Sequence, residues 1–270
     1  MIKKILILFV LTLITTPMTF AKSSNIKFED GVYHIVLKGE KYKKTIKFLS
    51  SESLITNREA HLKANAKLTI NAGFFDPNNE KSISYIVSDR QTTDDPMFNE
   101  NLTSNPALRK NLDKILNRSE FRVIQCDMDN DYYYEIVPHK SPVDFGCHVI
   151  TSAQGGPLIY PQLKLEEEFF VVKNEKGEVI RESASVLQKC ERTLIGLKNT
   201  DEVHILIFTN EHKIDMYEAQ IYVKNLGLDR AMAFDGGSST SMNYLKKYEY
   251  FSSEGNDGAR SLKSFMFVSW

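Results

Sequence analysis

Residues 203–240 read VHILIFTNEHKIDMYEAQIYVKNLGLDRAMAFDGGSST. The stretch opens with Val203-His204-Ile205-Leu206-Ile207-Phe208, nearly all apolar, as expected of a strand buried on both faces. Asp215 follows as a helix N-cap, with Glu218 three residues on as its capping-box partner. Ala219, Tyr222, Val223 and Leu226 recur at helical spacing and define the buried face. Gly227 stands where a helix ends, and Ala231-Met232-Ala233-Phe234 reads as a second short strand. A strand, a helix and a strand joined by short links predict a crossover unit with two parallel strands. Ligands of parallel sheets bind beyond the carboxyl ends of the strands. Those ends would bring Asn210-Glu211-His212 and Asp235-Gly236-Gly237 to one rim.

The rest of the chain fits around this unit without an internal repeat or a low-complexity linker. Strands are expected at 31–37, 45–49, 67–70 and 194–197, and a hairpin at 121–125 and 132–137. Thr56 and Glu59 form a second capping box. Residues 91–105 are polar and irregular, and Asn105-Pro106 then opens a helix with Leu108, Leu112, Ile115 and Leu116 as its apolar stripe. Segment 91–118 therefore reads as an insertion or lid. The expected architecture is α+β: a mixed β-sheet core, the C-terminal strand-helix-strand crossover, and helices packed on the sheets.

The first residues set the compartment. Met1-Ile2-Lys3-Lys4 is followed by an apolar run over 5–14 and by Thr19-Phe20-Ala21, small at the two positions a signal peptidase reads. Residues 1–21 are read as a secretory signal and 22–270 as one domain, periplasmic or secreted. The apolar run is shorter than the roughly 20 residues that span a bilayer, so no membrane span is expected after cleavage. With 34 basic and 35 acidic side chains there is no electrostatic case for nucleic acid. The oligomeric state is left open. Export permits a disulfide. Of Cys126, Cys147 and Cys190, the first two flank the hairpin and are the favoured pair. Asp127, Asp129 and Asp131 have calcium-loop spacing, but Tyr132 and Pro138 occupy the required Gly and Glu positions, which excludes an EF-hand.

Four turns could carry chemistry. Asp235-Gly236-Gly237-Ser238-Ser239-Thr240 joins a carboxylate to a glycine turn whose backbone N–H groups suit an anion; a plain glycine hairpin is the alternative. Asn71-Ala72-Gly73-Phe74-Phe75 places an amide at a strand end, with the two rings read as core. Gln154-Gly155-Gly156-Pro157 is a polar turn opening into a strand. Arg192-Thr193 precedes Leu194-Ile195-Gly196, where a guanidinium could grip phosphate.

Taken in order, these motifs resemble the phosphodiester glycosidase family. The resemblance runs from about Leu68 to the C-terminus, and Arg260 ahead of the last apolar strand fits its closing pattern. Ala72 stands where the family often has a second glycine, and the 91–118 segment has no clear match. The resemblance implies hydrolysis of a bond joining a sugar's anomeric carbon to a phosphodiester, with a phosphorylated carbohydrate as substrate. It assigns Asp235 to the cationic transition state, as stabiliser, nucleophile or base. Arg192, Arg260 and the backbone of Gly236, Gly237, Ser238 and Ser239 would hold phosphate. Asn71 and Gln154 would position oxygens, with Gly73, Gly155, Gly156, Thr193 and Thr240 completing the substrate site. Glu211 is the expected partner of Asp235. The sequence requires no cofactor and is compatible with a single divalent metal. Two other classes fit the same residues: a binding module for phosphorylated envelope glycans, and a metal-dependent phosphodiesterase using Asp235, Asp76 and His212.

Overall fold

The computed structural model describes residues 25–128, 130–252 and 260–270. The expected signal at 1–21 lies outside the described residues. Three antiparallel sheets build the domain. The first has six strands in the order Ile26–Glu29, Val32–Lys38, Glu202–Phe208, Arg192–Lys198, Arg230–Ala233 and Leu158–Tyr160. The second has five, in the order Tyr248–Phe251, Ser241–Tyr244, Leu68–Asn71, Leu262–Val268 and Ile46–Ile55. The third has five, in the order Gln91–Asp94, Ile86–Ser88, Cys147–Gln154, Ser119–Cys126 and Tyr132–Pro138. Val171–Lys173 and Val179–Glu182 form a separate ribbon.

The apolar run at 203–208 is buried on both faces, as its composition requires. Val203, Ile205 and Ile207 belong to the core shared by the three sheets, whereas Leu206 and Phe208 pack toward the Met216–Asn225 helix. The three sheets meet at Phe48, whose ring contacts Phe121 at 5.9 Å and Phe234 at 5.8 Å, both edge-on. The helix itself is as expected: the Asp215 side chain accepts from the N–H groups of Tyr217 and Glu218, each at 2.9 Å, and Glu218 returns the bond to the Asp215 N–H. Losing such a cap costs about 1 kcal/mol. Thr56 and Glu59 complete the other capping box.

The crossover is where the structure departs from expectation. The Glu202–Phe208 and Arg230–Ala233 strands do run in the same direction, because each is antiparallel to Arg192–Lys198. They are not hydrogen-bonded to each other, since Arg192–Lys198 lies between them. Every strand pair among the described residues is antiparallel, so the core is not a mixed sheet. A run buried on both faces marks a central strand and is silent about its neighbours' direction. Here a helix covers one face and two further sheets the other.

Segment 91–118 also differs in detail. Gln91–Asp94 is an edge strand, and the expected single helix is broken into Pro106–Arg109 and Leu112–Ile115. The Asn105 side chain caps the Ala107 N–H at 3.0 Å. Cys126 and Cys147 face each other on paired strands and form a disulfide, which leaves Cys190 as a free thiol. Among the described residues no helix is long and apolar enough to cross a membrane.

Candidate active site

The four motif turns converge on residues 233–235. The Phe234 N–H donates to the Thr193 carbonyl at 2.9 Å, and the Asp235 N–H donates to the Ala72 carbonyl at 3.0 Å. Asn71, fully buried, donates from Nδ2 to the Asp235 carbonyl at 2.6 Å. Its Oδ1 accepts from the Thr193 hydroxyl at 2.6 Å and from the Ser241 N–H at 3.0 Å. Asn71 and Thr193 thus stitch two sheets together beneath Asp235. They are engaged with the protein rather than held out to a substrate.

The glycine-bearing turn at 154–157 closes on the same point. The Gly156 N–H donates to the Ala233 carbonyl at 2.8 Å. A Cβ on Gly155 would lie 2.5 Å from that carbonyl oxygen, and one on Gly73 would lie 2.6 Å from the Ser84 Cβ. Gly156 combines φ +105° with a position where a Cβ would sit 2.3 Å from a Glu168 oxygen. These glycines permit close packing. Gly155→Ala is expected to destabilise the protein by about 1–3 kcal/mol through overpacking, read by thermal denaturation; an unchanged melting point would refute the packing role. Gln154 is likewise buried, with Oε1 3.4 Å from the Tyr85 N–H and Nε2 3.4 Å from the Ile115 carbonyl.

Arg192 is almost wholly enclosed, at 1 % exposure. Its guanidinium donates to four backbone carbonyls: Ile214 at 3.1 Å, Ala184 at 3.2 Å, Ser185 at 2.6 Å and Gln188 at 2.7 Å. That arrangement ties the 184–188 loop to the strand and leaves little with which to grip phosphate. The anion-binding turn expected at 236–239 is similarly committed. The Gly236 N–H meets the Asp235 carboxylate at 3.0 Å, the Gly237 N–H the Glu191 carbonyl at 2.8 Å, and the Ser239 N–H the Gly236 carbonyl at 3.2 Å. Gly237, at φ +56°, makes the turn possible, and Thr240 is buried at its end.

Glu211 is not brought to Asp235. Its N–H is held by the Thr209 hydroxyl, its Cβ lies over Gly31, and its charge acts on Tyr33 and Tyr250. The metal set is not gathered either. His212 Nδ1 meets the Asp30 carbonyl oxygen, and Asp76 accepts from Asn78 and Asn101. Among the described residues no three His, Cys, Asp or Glu side chains are placed to hold a metal ion.

What Asp235 does face is a cavity of about 230 Å³. Phe74, Phe75 and Phe170 give it aromatic walls, Leu102, Leu108 and Ile115 from segment 91–118 line it as well, and Arg118 and Arg181 add two cations. Asp235 is the one acidic side chain lining it among the described residues. Burial pushes its carboxyl up to about 6, against a Ser239 hydrogen bond, the charge of Arg260, the Gly236 N–H and the charge of Arg192, which all favour the anion. Arg260 donates to the Ser238 hydroxyl at 2.6 Å, and its guanidinium lies 5.2 Å from the Phe75 ring centre. A step that needs the Asp235 carboxylate should lose rate as pH falls through about 6 and reach a plateau above it. A kcat/KM profile flat from pH 5 to 7 would contradict that.

Arg118, Arg181 and Phe170 escaped the sequence reading. An isolated Arg has no local signature, and these two join Asp235 only through packing. The comparisons agree with the motif order. The phosphodiester glycosidase family profile matches residues 64–269. No curated protein matches the chain in sequence. Among solved structures, the zebrafish N-acetylglucosamine-1-phosphodiester alpha-N-acetylglucosaminidase catalytic domain, auto-inhibited by its pro-peptide, is similar at TM-score 0.63 and 12% identity, over 93% of this chain and 85% of that one. A hypothetical protein from Synechocystis is similar at TM-score 0.58 and 13% identity, over 90% of this chain. This chain spans 60% of the length of the Synechocystis protein. At such identities the structures show a shared fold alone, whereas the family match covers most of the chain and includes all four turns built around Asp235: the chain belongs to the phosphodiester glycosidase family.

Proposed function

We propose that the protein is an exported hydrolase that cleaves a sugar-1-phosphodiester at the bond between the anomeric carbon and the phosphate oxygen. The observation that carries this reading is Asp235, a carboxylate raised by burial to about 6, facing an aromatic-walled cavity in a chain of this family. Phe74, Phe75 and Phe170 line the cavity and give a sugar apolar walls to pack against. A phosphate departs with its own negative charge, so the leaving group needs little protonation. One well-placed carboxylate then meets the main requirement, stabilising positive charge at the anomeric carbon. The Asp235 N–H, donating to the Ala72 carbonyl, and the Asp235 carbonyl, accepting from the Asn71 side chain, fix the backbone that carries the carboxylate. Export rests on the leader-like residues 1–21.

The test is product analysis in oxygen-18 water over a panel of sugar-1-phosphodiesters. Label in the sugar and none in the phosphate is expected. Label in the phosphate would replace the assignment with P–O cleavage. Retention of phosphorylated glycan without any product would make the chain a binding protein.

A further inference from the structure

The cavity holds two guanidinium groups that the sequence motifs do not include. Arg118 is 6 % exposed. Its Nε donates to the Glu168 carbonyl at 3.0 Å, and its guanidinium carbon lies 3.9 Å from the Phe170 ring centre and 5.7 Å from that of Phe74. Arg181 is half-buried; its Nη1 donates to the next carbonyl, Phe169, at 2.9 Å, and it lies 4.3 Å from the Phe169 ring centre. Successive carbonyls and successive rings of 168–170 therefore hold both cations on one stretch of chain.

Neither guanidinium hydrogen-bonds a carboxylate among the described residues. Glu168, whose charge acts on Arg118, accepts from the Ser119 hydroxyl at 2.7 Å and the Leu158 N–H at 3.1 Å through Oε1. Its Oε2 is buried without a partner, and burial pushes its carboxyl above the usual range. Burial disfavours the charge of both arginines; on Arg118 the Glu168 carboxylate opposes that effect and the Arg181 charge adds to it. Glu168 offsets Arg118 in part and no carboxylate among the described residues offsets Arg181, so two cations lining one cavity and anchored by single bonds to carbonyls gain from an anion between them. Arginine terminal nitrogens match phosphate oxygens in a planar, bidentate fashion.

We propose that Arg118 and Arg181 form the phosphate subsite of the cavity, gripping the phosphodiester while the anomeric carbon lies toward Asp235. The assignment rests on the glycosidase reading for the sugar, and it gives segment 91–118, which contributes Arg118, a part in recognising the anionic half of the substrate. Arg192, occupied by four carbonyls, is left outside it.

Titration of inorganic phosphate by calorimetry tests this on the mature chain. Arg181→Gln is the leading variant because Arg181 is half-buried, and Arg118→Lys is the second, keeping charge while losing the fork. Each should bind phosphate at least about tenfold more weakly than wild type, the loss expected for one charged hydrogen-bonding group. Arg181→Lys should recover part of the affinity, and KM for a sugar-1-phosphodiester should rise more than kcat falls. Folded Arg181→Gln and Arg118→Lys proteins that bind phosphate as wild type does would overturn the subsite. Arginine-dependent phosphate binding without turnover of any sugar-1-phosphodiester would uphold the subsite and remove the glycosidase reading. Turnover with KM unchanged in both variants would remove the subsite alone.

Discussion

Asp235→Asn is expected to lower turnover of a sugar-1-phosphodiester on the order of a thousandfold or more, with a much smaller change in substrate affinity. The amide keeps the shape of the carboxylate and can still accept from the Gly236 N–H now 3.0 Å away. What it lacks is the negative charge that opposes a cationic sugar, and loss of a charge used only in the transition state falls on kcat. The same substitution should stabilise the fold at neutral pH. The carboxyl titrates near 6 in the folded chain, above the ordinary value of 3.8. Between those two values the folded state holds the proton and the unfolded state does not, so stability falls as pH rises through the window. At pH 7 the penalty is nearly complete and amounts to about 3 kcal/mol, which the neutral amide avoids. A melting point that rises at pH 7 but not at pH 3, together with lost turnover, is the paired signature. Full turnover in Asp235→Asn would end the assignment.

Arg192→Met should act in the opposite sense, on stability first. The guanidinium satisfies four carbonyls with almost no exposure, and methionine satisfies none of them. Of the four acceptor residues only Ile214 is buried, and water can reach the exposed Ala184, Ser185 and Gln188, so the loss is expected at about 2–3 kcal/mol. For a domain of this size that corresponds to a drop of about 5–10 °C in melting temperature. Protein that remains folded at low temperature should retain near-normal KM. An unchanged melting point with a sharply raised KM would make Arg192 a substrate ligand after all.

These two outcomes bear on how motifs should be read. The turn at 235–240 has a carboxylate and glycines, and both a catalytic and a plain structural reading were open to it. In the structure the carboxylate belongs to the cavity, while the glycines and most of the N–H groups serve the turn itself. Asn71, Thr193, Gly155 and Gly156 resemble ligands in sequence because polar and glycine residues also recur where backbone segments from several sheets are pressed together. All four hydrogen-bond or pack against residues 233–235.

The sequence by itself determined the strands and helices with strong periodicity, the two capping boxes and the family, because each depends on residues close together or on motifs kept in order. It also singled out Asp235. Only the tertiary structure decided that Arg192–Lys198 lies between the two strands of the expected crossover, that Glu211 stands apart from Asp235, and that Arg118 and Arg181 share its cavity. The physical reason is range. Capping and hydrophobic alternation act within a few residues, whereas strand order and the company a buried charge keeps are set by which surfaces pack together across the whole chain.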